Sequence, residues 1–197
     1  EINEVPFSSP LIEINEKNNL FLIKGKILTK KKDFNRDQLS MMLVGFLKNP
    51  NIEKAKLNTE NDISFNVSKK LKFNDLKIKS KINLDQLVLK NNFIDLKPYI
   101  PDLDKAINFE NHEIIINYDK DKLYIKGNGK ILIKDKLDSI RYEIIKDNNK
   151  FIFDTEVNLK HSKLLIDFLD FKKKKDLDTS VLIKGNFKNN KSINFDL

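Results

Sequence analysis

The 197-residue chain has no cysteine, two histidines, five glycines and arginine at only two positions, Arg36 and Arg141. Without cysteine there is no disulfide scaffold, no thiolate metal site and no cysteine nucleophile. The histidines, His112 and His161, stand in no metal-ligand spacing such as His-x-x-x-His, and both read as surface residues beside strand starts. Gly127 and Gly129 lack the further glycine and following helix of a dinucleotide loop. Ser8-Ser9 and Ser192 lack a nucleophile elbow. The carboxylate pairs Asp102/Asp104 and Asp176/Asp178 read as solvated turn residues. The expectation is therefore no enzyme, no catalytic residue, no metal site and no cofactor. No apolar stretch of the ~18 residues that a membrane span needs is present either.

The charge is one-sided but not patterned for nucleic acid. There are 37 basic and 29 acidic residues, a formal balance of +8, and nearly all the cations are lysine. A phosphate-reading surface favours the guanidinium fork, whereas these lysines alternate with acids along the chain. They read as a solvated face, Lys172 to Lys175 as a loop, and no nucleic-acid partner is expected. The 34% charged content is offset by 14 phenylalanines and 40% hydrophobic residues, more apolar material than a disordered tail carries.

That apolar material is distributed with a period of two. Residues 114–118, 123–127, 131–134, 140–145 and 151–157 each read as a strand,. Polar links at 119–122, at 147–150 around Asn148-Asn149, and at 188–191 around Asn189-Asn190 separate such segments. Asparagine tolerates the left-handed conformation of tight hairpins, so sequential antiparallel pairing is expected. Ile12 and Ile14, then Lys17-Asn18-Asn19, then Leu20 to Leu28 repeat the pattern.

Two segments depart from it. Asn35 is an N-cap candidate ahead of Leu39, Met42, Leu43, Phe46 and Leu47, predicting a helix near 35–49 that stops before Pro50,. This helix could serve as a plug, a partner surface or a membrane-surface element. Pro98 and Pro101 bracket a second helical interruption near 98–107,. The fold class is thus mainly β: one long antiparallel meander of about eleven or twelve strands with one or two short helices, treated as a single segment over 1–197. Phe151, Phe153 and Val157 face one way and Ile152, Asp154 and Glu156 the other, so one face is apolar and must be covered. A second sheet, barrel closure, or an open trough around an apolar molecule would each cover it. The string Leu22-Ile23-Lys24-Gly25-Lys26 recurs at 124–128 and at 182–186, and glycine there would mark bulges or bends.

The stretch from Leu123 to Phe187, about a third of the chain, resembles the AsmA-like superfamily, the YhdP/TamB group of bacterial envelope proteins,. The resemblance rests on "IKGNGKILI", the hairpin "IRYEIIKDNNKFIFDTEVNL", and "LLIDFLDFKKKKDLDTSVLIKG", with Phe171-Lys172 as the aromatic and lysine before a charged loop. Where that loop often carries glycine, this chain has Asp176 to Asp178. The resemblance implies a bridge-like lipid transfer protein: an open, taco-like β-groove in the periplasm that carries phospholipid between inner and outer membranes and serves outer membrane biogenesis. The partners implied are phospholipid acyl chains, the remainder of the same long chain, and the two membranes at its ends. The chain begins at Glu1 with no basic start leading into an apolar run, and the expectation is a fragment whose inner-membrane anchor lies elsewhere.

On this reading the groove is lined by the larger apolar members of each alternating set. These are Ile63, Phe65, Val67, Ile114, Ile116, Tyr118, Ile131, Ile133, Phe151, Phe153, Val157, Leu164, Ile166, Phe168, Ile183 and Phe187, for each of which plain core is the first reading until a lipid is seen. The alternative is a structural or adhesive β-sandwich module with no lipid cargo, which needs a second sheet with its own inner face.

Overall fold

Two adjacent left-handed residues are what a two-residue hairpin of matching twist requires, and the chain supplies them at Asn18-Asn19 and Lys120-Asp121 (φ 53° and 62°, 47° and 66°). Asn148 takes the same conformation at φ 54°. The computed structural model describes residues 6–43, 51–90, 97–103, 106–133, 135–148, 150–188 and 193–196. Twelve strands form: β1 (Phe7–Lys17), β2 (Leu20–Asn35), β3 (Ile52–Ser68), β4 (Phe73–Lys90), β5 (Ala106–Asp119), β6 (Lys122–Ile133), β7 (Lys136–Asp147), β8 (Lys150–Asn158), β9 (Leu164–Ile166), β10 (Phe171–Lys173), β11 (Ser180–Lys188) and β12 (Ile193–Asp196). Ten of them make one antiparallel sheet in chain order, β1 to β8 followed by β11 and β12, while β9 and β10 form a separate two-stranded ribbon. No pairing joins the first strand to the last. The sheet is an open meander, not a barrel.

A meander places its links alternately at two ends, and here the ends differ. One end carries the short links 18–19, 69–72, 120–121 and 148–149. The other carries the long ones, 36–51, 91–105 and 159–179, beside the single short link 134–135, and among the described residues the long links hold every element that folds back over the sheet. We call them the hairpin side and the cap side. On the cap side, Asn35 caps α1 (Arg36–Leu43) through a reciprocal box: Gln38 N–H donates to Asn35 Oδ1 at 3.0 Å, and Asn35 N–H to Gln38 Oε1 at 3.2 Å,. Leu39 of α1 is buried with Phe34, Ala55 and Leu84. Further along, Leu103 and Leu164 bury Ile107, Ile131, Ile133 and Leu159.

Register shifts line up across neighbouring strands. Extra residues lie between Thr29 and Lys32 in β2, between Leu84 and Gln86 in β4, and between Glu110 and Glu113 in β5, where Asn111 is left-handed at φ 51°. The pairs Lys32–Leu57, Leu57–Leu84 and Leu84–His112 put all three at one level. Each bulge bends and twists its own strand, so the bends add into a crease running across the strands. Bends aligned in this way favour curling of the open sheet along that line.

Several expectations change. Residues 123–127 and 131–134 were expected as two strands, but 122–133 are one, because Asn128, Gly129 and Lys130 pair with Arg141, Ile140 and Ser139 without interruption. The expected second helical interruption contains turns at 97–99 and 101–102, and Ala106 and Ile107 already pair in β5. Pro98 and Pro101 restrict φ, and among the described residues of that span no helix forms,. The helix expected near 35–49 runs over Arg36–Leu43, and 44–49 lie outside the described residues, as do Asn149 and the Asn189-Asn190 link. Lys172 and Lys173 were expected in a loop and form β10.

Candidate functional site: an apolar groove

Directly opposed residues of an antiparallel pair share a face, so the registers assemble the site row by row. One row runs Gly25, Ile63, Ile78, Tyr118, Leu123, Lys146, Phe151 and Phe187. The next toward the crease runs Ile27, Asn61, Ser80, Ile116, Ile125, Ile144, Phe153 and Gly185. A third runs Thr29, Thr59, Ile82, Ile114, Gly127, Tyr142, Thr155 and Ile183. These rows carry no acidic side chain, and Lys146 is their only cation, its Nζ 5.6 Å from the Phe151 ring centroid. The opposite face carries the cross-strand ion pairs Lys26–Glu60, Lys77–Asp119, Lys122–Asp147, Lys184–Asp154 and Arg141–Glu156. All are solvated, and their worth is solubility more than stability.

The apolar face divides at the crease. Toward the cap side it is closed: Ile131, Ile133 and Val157 lie in or against the buried cluster with Leu164 and Ile166. Toward the hairpin side, Phe65, Ile78, Ile116, Ile125, Ile144 and Phe153 are only half-buried, and Ile12 and Ile14 at the β1 edge are 64% exposed. Val67 is the only buried apolar residue of that half among the described residues. Both core clusters lie on the cap side, and no described element packs over the hairpin half.

Ile63, Phe65, Val67, Ile114, Ile116, Tyr118, Phe151, Phe153 and Ile183 therefore share one face by register. Ile131, Ile133 and Val157 share it too, but as core beneath the cap. Leu164 and Ile166 belong to the ribbon and form part of that cap, because β9 pairs with β10 alone. Phe168 lies on a single 3-10 turn, Asp167–Leu169, and its side chain and that of Phe187 lie outside the described residues.

A polar strip crosses β2 to β4 within the apolar face. Thr29 and Thr59 hydroxyls lie 3.0 Å apart, Asn61 Nδ2 donates to Thr59 Oγ1 at 2.7 Å and to Ile27 O at 3.2 Å, and Ser80 Oγ donates to Asn61 Oδ1 at 2.7 Å. These groups satisfy one another, so the strip is compatible with a dry face.

His112 overturns the surface reading. It is 1% exposed: alternating with Ile114 and Ile116 and paired with Leu84, it faces the apolar side, against Phe109 and beside Tyr142. Nε2 donates to Lys130 O at 2.9 Å, which leaves Nδ1 to accept from Tyr142 O–H at 3.5 Å. Burial holds the imidazole below its ordinary pKa, opposed by the hydrogen bond to Lys130,. Burial alone pushes the Tyr142 phenol up to about 12. The glycines of β6 make room for this pair: a Cβ on Gly129 would sit 2.2 Å from His112 Cδ2, and one on Gly127 2.4 Å from Tyr142 Cζ. No register shift falls at Gly25, Gly127 or Gly185 within their own strands. The repeated glycine marks no bulge; in β6 it marks a ring packed against the backbone.

The cap is locked by a charge pattern that sequence reading missed. Asp138, 2% exposed, accepts from Lys160 N–H at 2.8 Å, His161 N–H at 3.0 Å and Ser162 Oγ at 2.9 Å. Lys173 Nζ, also buried, donates to the carbonyls of Ser162 at 2.6 Å and of Lys160 and Lys174 at 3.1 Å each. The loop after β8 is thus held through its N–H groups on one side and its carbonyls on the other. Asp176 is no free turn carboxylate: the hydrogen bond from His161, with Lys136 nearby, holds its pKa below the ordinary range. Asp102 accepts from Lys163 N–H at 3.3 Å, and Asp104 lies outside the described residues.

Among the described residues no group of histidine and carboxylate side chains could hold a metal ion, and no helix is long and apolar enough to cross a membrane. Comparison with family models, with curated proteins and with solved structures gives no match.

Proposed function

We propose that the chain is a lipid-binding groove segment of an envelope protein, holding acyl chains against the hairpin half of its apolar face while head groups stay at the open slit. One observation carries this: the row Ile116, Ile125, Ile144 and Phe153 continues from β5 to β8, with Leu123 and Phe151 beside it, without a described element to cover it. Acyl chains leave water with a gain of ~0.8 kcal/mol per buried methylene, and a row that continues from strand to strand offers a tail the same surface at each step. No bond is broken, and no catalytic group is required. The resemblance to the AsmA-like superfamily adds the setting, periplasmic passage of phospholipid between two membranes as part of a longer, membrane-anchored chain.

A sandwich module fits less well, since the only other sheet among the described residues is the ribbon of three residues per strand. Uptake of a fluorescent phospholipid tests the groove. Ile116→Asp and Phe153→Asp place carboxylates in one row and should abolish uptake. Ile115→Asp, on the opposite face, should leave it unchanged, and equal uptake by all three would refute the assignment.

A further inference from the structure

The β3–β4 hairpin ends in Lys69-Lys70-Leu71-Lys72-Phe73. Leu71 and Phe73, 76% and 71% exposed, are the two most exposed large apolar side chains among the described residues. Leu71 is also left-handed at φ 56°, a conformation that costs a leucine energy through its Cβ. The tip is nevertheless well held: Leu71 N–H donates to Ser68 O at 2.8 Å, Ser68 N–H to Lys72 O at 3.0 Å, and Lys72 N–H to Ser68 Oγ at 3.1 Å. A tight turn is thus spent on keeping a leucine in water, which folding alone does not explain. Lys69 reaches Glu16 at 3.7 Å, while Lys70 and Lys72 have no ion pair among the described residues. Apolar side chains projecting from a lysine cluster in which Lys70 and Lys72 are unneutralised have the chemistry of an interfacial anchor, the rings and methyls entering the acyl boundary while the ammonium groups meet lipid phosphates.

We propose that this tip docks the chain on an anionic lipid bilayer, with Leu71 and Phe73 inserted and Lys69, Lys70 and Lys72 against the head groups. Val67 and Phe73 are paired and the Phe65 and Phe73 rings are 5.6 Å apart, so the docked tip leads into the hairpin side of the groove. Docking does not depend on the groove being loaded, and a short-chain fluorescent phospholipid added as monomer reports the groove separately.

Co-sedimentation of the chain with phosphatidylcholine vesicles, with and without phosphatidylglycerol, tests the proposal. Binding is expected only with the anionic lipid and should weaken as salt rises. Leu71→Gly should weaken it about tenfold, from the loss of one buried apolar side chain, and Lys70→Glu with Lys72→Glu by about twentyfold or more. Leu177→Gly, in an exposed cap-side loop, should bind as the parent does. Glycine accepts the left-handed conformation freely, so Leu71→Gly should melt no lower than the parent, and its binding loss cannot be a folding defect. Equal binding to neutral and anionic vesicles, or undiminished binding by Leu71→Gly, would overturn the proposal.

Discussion

Adding one methyl group at Gly129 should destabilise the protein far more than adding it at Gly25. At Gly129 the new Cβ would lie 2.2 Å from Cδ2 and 2.4 Å from Cγ of His112. Those atoms sit near the base of a fully buried ring, so the ring cannot yield at its tip. It must rotate as a whole, into a space already occupied by Phe109 and Tyr142. Overpacking of this kind costs ~1–3 kcal/mol, and losing the Nε2–H bond to Lys130 O adds ~0.5–1.5 kcal/mol. The expected total for Gly129→Ala is about 2–4 kcal/mol, a fall in Tm of about 5–15 °C for a chain of this size. At Gly25 the nearest heavy atom is Leu11 O at 3.6 Å, an ordinary contact, so Gly25→Ala should be neutral or stabilising by up to ~1 kcal/mol through lower unfolded-state entropy. Denaturant unfolding followed by circular dichroism measures both. Combining Gly129→Ala with His112→Ala removes the clashing ring and should show a coupling of at least ~1 kcal/mol. Equal stability of the two glycine variants, or strict additivity in the double variant, would refute the packing assigned to β6.

The cap and the buried imidazole give two further tests. Asp138→Ala leaves two backbone N–H groups and the Ser162 hydroxyl without their acceptor and should cost about 3 kcal/mol or more; hydrogen exchange should then show the amides of Lys160 and His161 unprotected while β6 and β7 stay protected. For His112, burial places the folded-state pKa below the unfolded value, so the unfolded chain binds the proton more readily. Its contribution is complete above about pH 6.5 and declines as pH falls below that toward its folded pKa. His112→Gln should flatten this part of the stability profile, and an unchanged slope would show that other groups set it.

The meander was legible because asparagine and lysine-aspartate turns punctuate a period of two, and both signals are local. The shared face of Ile63, Phe65, Ile116 and Phe153 followed from alternation alone. Position along that face did not: nothing in the sequence of Ile131 or Val157 says that Leu103 and Leu164 will cover them while Ile116 stays uncovered, since the cover comes from distant links. His112 was misjudged although it alternates with Ile114 and Ile116 onto the apolar face; nothing local says that Phe109 and Tyr142 will enclose it there. Asp138 and Lys173 were missed because each looks like an ordinary surface charge until the loop after β8 closes between them. The merged strand β6 has a related cause, for Asn128-Gly129-Lys130 lacks the apolar alternation that marks a strand, yet pairs with β7 throughout, and Gly129 supplies room for a ring.

Native mass spectrometry of the chain purified from its native source tests for bound lipid. Adducts with phospholipid masses are expected on the parent protein, and their loss from Ile116→Asp and Phe153→Asp. A parent protein that emerges lipid-free, and stays so after incubation with phospholipid, would contradict it.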